Sequence, residues 1–208
     1  MIFISDSSDA PNIGAEYDIT IFDKDGNEKR RFGGEANCFV KGFMDYLQYL
    51  SRNGSGATKA LSTTDTSGVA RSVDQSAGSG YTGPGGVRTI AVAANTTRGI
   101  VCGRSGGPVT IRDHSVGELI GTEHLGYGAS AVQPVAYSGN VATIELSRSF
   151  INTSTATVAG ISSIAVYARP FLVATWSFMI LRDVVPAFDL QPGEAATVVY
   201  RIVFNGGS

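Results

Sequence analysis

From Val87 to Phe204 the chain repeats one arrangement: a short apolar run, then Gly, Pro, Asn or Asp. Period-two alternation sends successive side chains to opposite faces of a strand, and turn residues between such runs fold the chain back on itself. The runs read as strands are Val87 to Ala93, Gly99 to Gly103, Pro108 to Ile111, Val132 to Tyr137, Val141 to Ile151, Thr157 to Tyr167, Phe171 to Arg182 and Ala195 to Phe204. Ser138-Gly139-Asn140 and Leu190-Gln191-Pro192-Gly193 are the clearest turns between them. In Val141 to Ile151, Ala142, Ile144, Leu146 and Phe150 share a face; in the last run Val198, Tyr200, Ile202 and Phe204 do. The run after Pro170 is apolar on both faces, with Trp176, Phe178 and Ile180 on one and Val173, Met179 and Leu181 on the other. Such a strand is central in its sheet or covered by a neighbouring subunit.

Upstream, Tyr17 to Phe22 and Glu28 to Phe32 flank Asp25-Gly26-Asn27 and predict a hairpin. Lys59 to Ser62 and Gly68 to Val73 predict a second, around Asp65-Thr66-Ser67-Gly68. One helix is expected over 37–50, where Phe39, Val40, Phe43, Met44, Leu47 and Leu50 fall at spacings of one helical face. Gly33-Gly34 breaks the chain before it, Arg52-Asn53-Gly54 stops it, and Gly42 is a blemish inside it. The expected fold is therefore mainly β: an antiparallel β-sandwich, jelly-roll-like, with one amphipathic helix and long loops. It divides into an extended N-terminal arm over 1–15 and a single domain over 16–208 with an internal loop at 75–86. Asp6 to Gly14 of the arm and the loop 75–86 are candidates for contact between subunits.

Composition narrows the function. With 16 Lys and Arg against 18 Asp and Glu, the net charge of −2 leaves no cationic excess for phosphates, so no nucleic-acid partner is expected. Charged residues make only 16% of the chain and 12 of the 16 cations are Arg, a balance suited to contact surfaces. No apolar run reaches the roughly 18 residues of a membrane helix, and the first residues lack the pattern of a signal peptide, so no membrane partner is expected. Cys38 and Cys102 read as buried free thiols, with a single bridge as the alternative.

Several segments invite a chemical reading. Gly103-Arg104-Ser105-Gly106-Gly107-Pro108 looks like the nucleophile segment of chymotrypsin-like proteases. The two histidines, His114 and His124, both follow Ser105, whereas that family places its base before the nucleophile, and Arg104 stands where it has Asp. His114 and His124 with Asp113, Glu118 and Glu123 lack metal-ligand spacing. Glu118 and Glu123 form no distinctive carboxylate pair, and no phosphate-binding glycine loop occurs. Asn95-Thr96-Thr97 and Asn152-Thr153-Ser154 match the glycan-acceptor pattern. No catalytic, cofactor-binding or metal residue is assigned, and the chain is not expected to be an enzyme. Tyr81, Tyr127 and Tyr137 are candidate stacking surfaces near loops.

An ordered set of short motifs carries a resemblance. It begins with Asn37-Cys38-Phe39-Val40, Thr64-Asp65-Thr66-Ser67-Gly68 and Arg71-Ser72-Val73. It continues through Gly99-Ile100-Val101-Cys102-Gly103, Pro108-Val109, Leu125 to Tyr127, the hairpin ending in Phe150, and Ile164-Ala165-Val166-Tyr167. It closes on Leu181-Arg182-Asp183-Val184 and Leu190-Gln191-Pro192-Gly193-Glu194. Over 37–204 this order resembles β-rich structural proteins of tailed bacteriophages and related prophages. The resemblance implies a virion protein; the low charge, the excess of Arg over Lys and the run apolar on both faces add the expectation of a homo-oligomer that docks on other virion proteins, made in the host bacterial cytoplasm. A neck- or tail-associated component is expected first. A capsid decoration protein, or a receptor- or carbohydrate-binding module of a tail fibre, is the alternative.

Overall fold

The computed structural model describes residues 12–36, 39–51, 60–74, 87–104, 107–170 and 176–206. In chain order the elements are β1 (Asn12–Phe22), β2 (Glu28–Glu35), α1 (Lys41–Ser51), β3 (Ala60–Thr64), β4 (Ala70–Asp74), β5 (Val87–Arg88) and β6 (Gly99–Arg104). There follow β7 (Glu118–Leu119), β8 (Leu125–Val132), β9 (Ala136–Ser138), β10 (Val141–Asn152), β11 (Val158–Pro170), β12 (Phe178–Leu190) and β13 (Ala195–Asn205).

The fold is mainly β, as the alternation predicts. One sheet has the order β2-β1-β13-β10-β8, with β9 beside β8 on the same edge of β10. The other has the order β12-β11-β6-β7, with β5 at the end of β11. All these pairings are antiparallel. The inward residues of both sheets form one core, with Ile19, Val198 and Phe150 from the first and Ile100, Ile164 and Phe178 from the second. Polar ties cross it. The Tyr200 hydroxyl on β13 donates to the Asp183 carboxylate on β12 at 2.8 Å. Burial first, and then the nearby Asp183 charge, push the Tyr200 hydroxyl well above its usual pKa.

Several expectations are corrected. Residues 12–15 are not part of an arm: they open β1, register against β13 from Asn12↔Asn205, and bury Ala15. The rest of the expected arm, 1–11, lies outside the described residues, as does the loop 75–86. Gly33 and Gly34 do not break the chain; they sit in β2, where a Cβ on Gly33 would stand 2.5 Å from the Tyr17 carbonyl oxygen.

The helix begins at Lys41, not at 37. Phe39 forms a bridge with Leu181, and the Val40 amide donates to the Ile180 carbonyl, so these two residues extend along the edge of β12 before the helix turns away. Asn37 and Cys38, and the stop at Arg52-Asn53-Gly54, lie outside the described residues. The expected apolar face is only partly covered: Val40 is buried, Phe39 stacks on Phe43 at 4.3 Å, and Met44 and Leu47 are exposed.

In the second sheet, β12 is an edge strand rather than a central one. Residues Phe178 to Leu181 are nonetheless all buried within the chain, and Phe39 and Val40 pair along the strand's outer edge. The expected start of this strand, 171–175, lies outside the described residues.

The hairpin of β3 and β4 forms as predicted. Asp65 organises its turn, accepting from the amides of Ser67 and Val69 at 2.9 Å and from Arg71 Nε at 2.8 Å. The Thr66 amide donates to the Ser177 carbonyl and fastens the hairpin to the body.

Three strand boundaries also change. Only Val87–Arg88 of the expected 87–93 strand is paired as one. The segment 108–111 is not a strand; Thr110 and Asp113 close a turn there. Gly126 and Gly128 interrupt the apolar alternation over β8, so the pattern predicts no strand there, and Val132 ends β8 before β9 begins at Ala136.

Candidate functional site

Among the described residues, the segments that invited chemistry do not assemble a reactive group. Ser105 lies outside the described residues. Arg104 in β6 donates to the Ala159 carbonyl and pairs with Glu118 at 2.7 Å, which commits that carboxylate. His114 sits against Gly68, while His124 is exposed, 3.9 Å from Glu123. Asp113 pairs with Arg182 of β12. Among the described residues no group of three or more His, Cys, Asp or Glu could hold a metal ion. Cys102 is a free, fully buried thiol, with its pKa pushed far up by burial.

Two residues singled out in the sequence, one by the glycan-acceptor pattern and one as a stacking candidate, are interior. Asn152 is buried, and its amide donates to the Ala156 and Leu190 carbonyls at 2.8 Å, so it presents no glycan acceptor. Tyr127 is a core ring, edge-on to Phe150, and its hydroxyl donates to the Ile120 carbonyl at 2.6 Å. It offers no stacking surface. Tyr81 lies outside the described residues, and Tyr137 is 79% exposed.

The sequence reading also missed a buried cation. Arg148 is 1% exposed on the inward face of β10, between Leu146 and Phe150. Its guanidinium donates to the carbonyls of Gly128, Arg98, Ile100, Val92 and Asn95 and lies over the Tyr127 ring at 4.8 Å. Five planar donors suit this role. The arrangement joins the sheets and pins residues 92–98, with no carboxylate among its hydrogen-bond partners. It is a staple, since its donors are spent on main chain.

What the fold leaves open is apolar surface. Sheet one carries cross-strand rows on its inward face, and their exposure rises toward one end. Ile19, Val198 and Arg148 are fully buried; one row on, Tyr17, Tyr200 and Leu146 are buried at 8%, 0% and 9%. Two rows beyond those, Ile13 is 36%, Phe204 40% and Tyr137 79% exposed, with half-buried Ala142 between them in register. The inward face of sheet one thus runs past the cover of sheet two. These four side chains line a groove of about 600 Å³, whose other lining residues, Asn12, Gly139, Asn140, Val141, Asn205 and Gly206, also carry no charge.

The adjoining edge is equally bare. All ten residues from Ala131 to Asn140 are exposed and none is charged. Farther along, the outer edge of β8 is covered by the chain itself: the Ser130 amide donates to the Ala91 carbonyl and the Ala94 amide to the Tyr127 carbonyl. The opposite edge, β2, carries Glu28, Lys29, Arg30, Arg31 and Glu35. Charge is a usual guard against unwanted strand pairing.

Comparison with known proteins gives no match. No model of a protein family, no curated protein and no solved structure matches the chain. Among the described residues no helix is long and apolar enough to cross a membrane. The groove and its bare edge are therefore the candidate site on the geometry alone. The alternation that predicts β13 already runs as far as Phe204, but it does not tell where the second sheet stops.

Proposed function

We propose that this chain is a bacteriophage virion structural protein that assembles with copies of itself and docks on other virion proteins, as a neck- or tail-associated component. The observation that carries the reading is the uncovered row of Ile13, Phe204, Ala142 and Tyr137 beside an uncharged, exposed edge. Contiguous apolar surface of this kind marks an interaction site. The ordered motifs supply the virion assignment. Their residues in Gly99–Gly103, Ile164–Tyr167 and Leu181–Asp183 are buried, which fits a scaffold role better than a reactive one. A capsid decoration protein would use the same surface.

Sedimentation of the purified chain over a wide concentration range, followed by electron microscopy of the assembled species, tests the reading. A closed ring or other defined oligomer supports it; a monomer at every concentration overturns it. Tyr137 favours a second reading, a carbohydrate-binding module of a tail fibre, because an exposed aromatic ring is a stacking platform for sugars. Glycan-array binding by a monomer, abolished in Tyr137→Ala, would select that reading instead.

A further inference from the structure

We infer that the groove of one copy receives the segment Ile2-Phe3-Ile4 of a second copy. This inference rests on the self-assembly reading and names the contact that would carry it. Three observations lead to it. The groove is lined without charge, so its occupant is apolar and needs no ionic partner. Strand β1 enters the sheet at this same end: Asn12, its first residue, is on the groove rim, and Ile13 is in the row. The eleven residues that precede β1 hold one apolar cluster, Met1 to Ile4, separated from the strand by Ser5-Asp6-Ser7-Ser8-Asp9-Ala10-Pro11.

The reach is sufficient. Seven residues span up to about 24 Å when extended. The row from β1 to β9 crosses three strand spacings, about 14 Å. A spacer leaving one copy at the rim can therefore carry the segment to any position along the row of a copy placed end to end with it. Two aspartates, Asp6 and Asp9, fall in the spacer and not in the apolar cluster, so seating Ile2-Phe3-Ile4 desolvates no charged side chain.

The test is complementation between two defects. Ile2→Asp/Phe3→Asp spoils the segment and leaves the groove intact. Tyr137→Lys/Phe204→Lys spoils the groove and leaves the segment intact; both changed side chains are already 40% or more exposed, so the fold can accommodate them. Far-UV circular dichroism and melting check each variant, and Tyr137→Lys alone serves if the double variant melts early. The expected result is an assembled full chain, each variant at least tenfold weaker in self-association, and recovery of association when the two variants are mixed. Failure of the mixture to associate overturns the inference. Undiminished assembly of Ile2→Asp/Phe3→Asp also overturns it, and leaves self-assembly standing through another surface. A full chain that stays monomeric removes the self-assembly reading, and this inference with it.

Discussion

Arg148 illustrates how one residue can be illegible in sequence and central in the fold. It falls at an inward position of β10, where alternation calls for an apolar side chain. Nothing local distinguishes it from a surface arginine, because its partners come from Val92 to Ile100 and from Gly128. Arg148→Ala opens a cavity and leaves buried carbonyls without donors. The expected cost is on the order of 3 kcal/mol or more. In a domain of this size that is a fall in melting temperature of roughly 6–12 °C. A loss under about 1 kcal/mol in denaturant titration would remove the staple from the account.

Asp18 gives a pH prediction at the same scale. Its hydrogen bond from Arg201, opposed by burial and reinforced by the charges of Arg201 and Arg31, holds the carboxyl below the ordinary aspartate value of 3.8. A carboxylate with a depressed folded-state pKa contributes stability above its unfolded value, and loses it as pH falls through the folded value. The array of Asp18, Arg201 and Glu145 across β1, β13 and β10 should therefore weaken below about pH 4. Asp18→Asn should flatten the acid limb of a stability–pH curve while leaving its slope near neutrality unchanged.

At the scale of elements, alternation located the long strands well. β1, β10 and β13 contain the runs read for them, and β11 all of its run but Thr157, because each keeps apolar residues on one face over many positions. The shorter elements depend on distant partners and were read less well. Helix spacing extends back to Phe39, yet Phe39 and Val40 are claimed by main-chain bonds to β12. Gly42 shows the same dependence. In isolation it weakens a helix, and alanine would gain about 1 kcal/mol. Here a Cβ would stand 2.1 Å from the Met179 carbonyl oxygen, a backbone atom that cannot swing aside. The collision outweighs propensity, so Gly42→Ala should lower stability and speed hydrogen exchange in α1. An unchanged or higher melting temperature would show that the helix seat is looser than drawn.

For the whole molecule, pattern predicted two layers but not their offset. The offset matters because it turns interior side chains into surface at one end, and no window of sequence encodes where a second sheet ends. The resemblance pointed to assembly without indicating where on the molecule contacts lie. Tyr127 and Tyr137, only ten positions apart, were equal candidates in the sequence and differ completely in the fold. Tyr127 is consumed by the core, and Tyr137 stands at the end that the second layer does not reach.

The neutrality of the groove has a calorimetric consequence. Contacts between uncharged apolar surfaces carry a negative heat-capacity change and little dependence on ionic strength. Titration calorimetry of self-association at several temperatures should show an enthalpy that becomes more negative on warming. Sulfate should tighten the association, where an interface built on ion pairs would loosen.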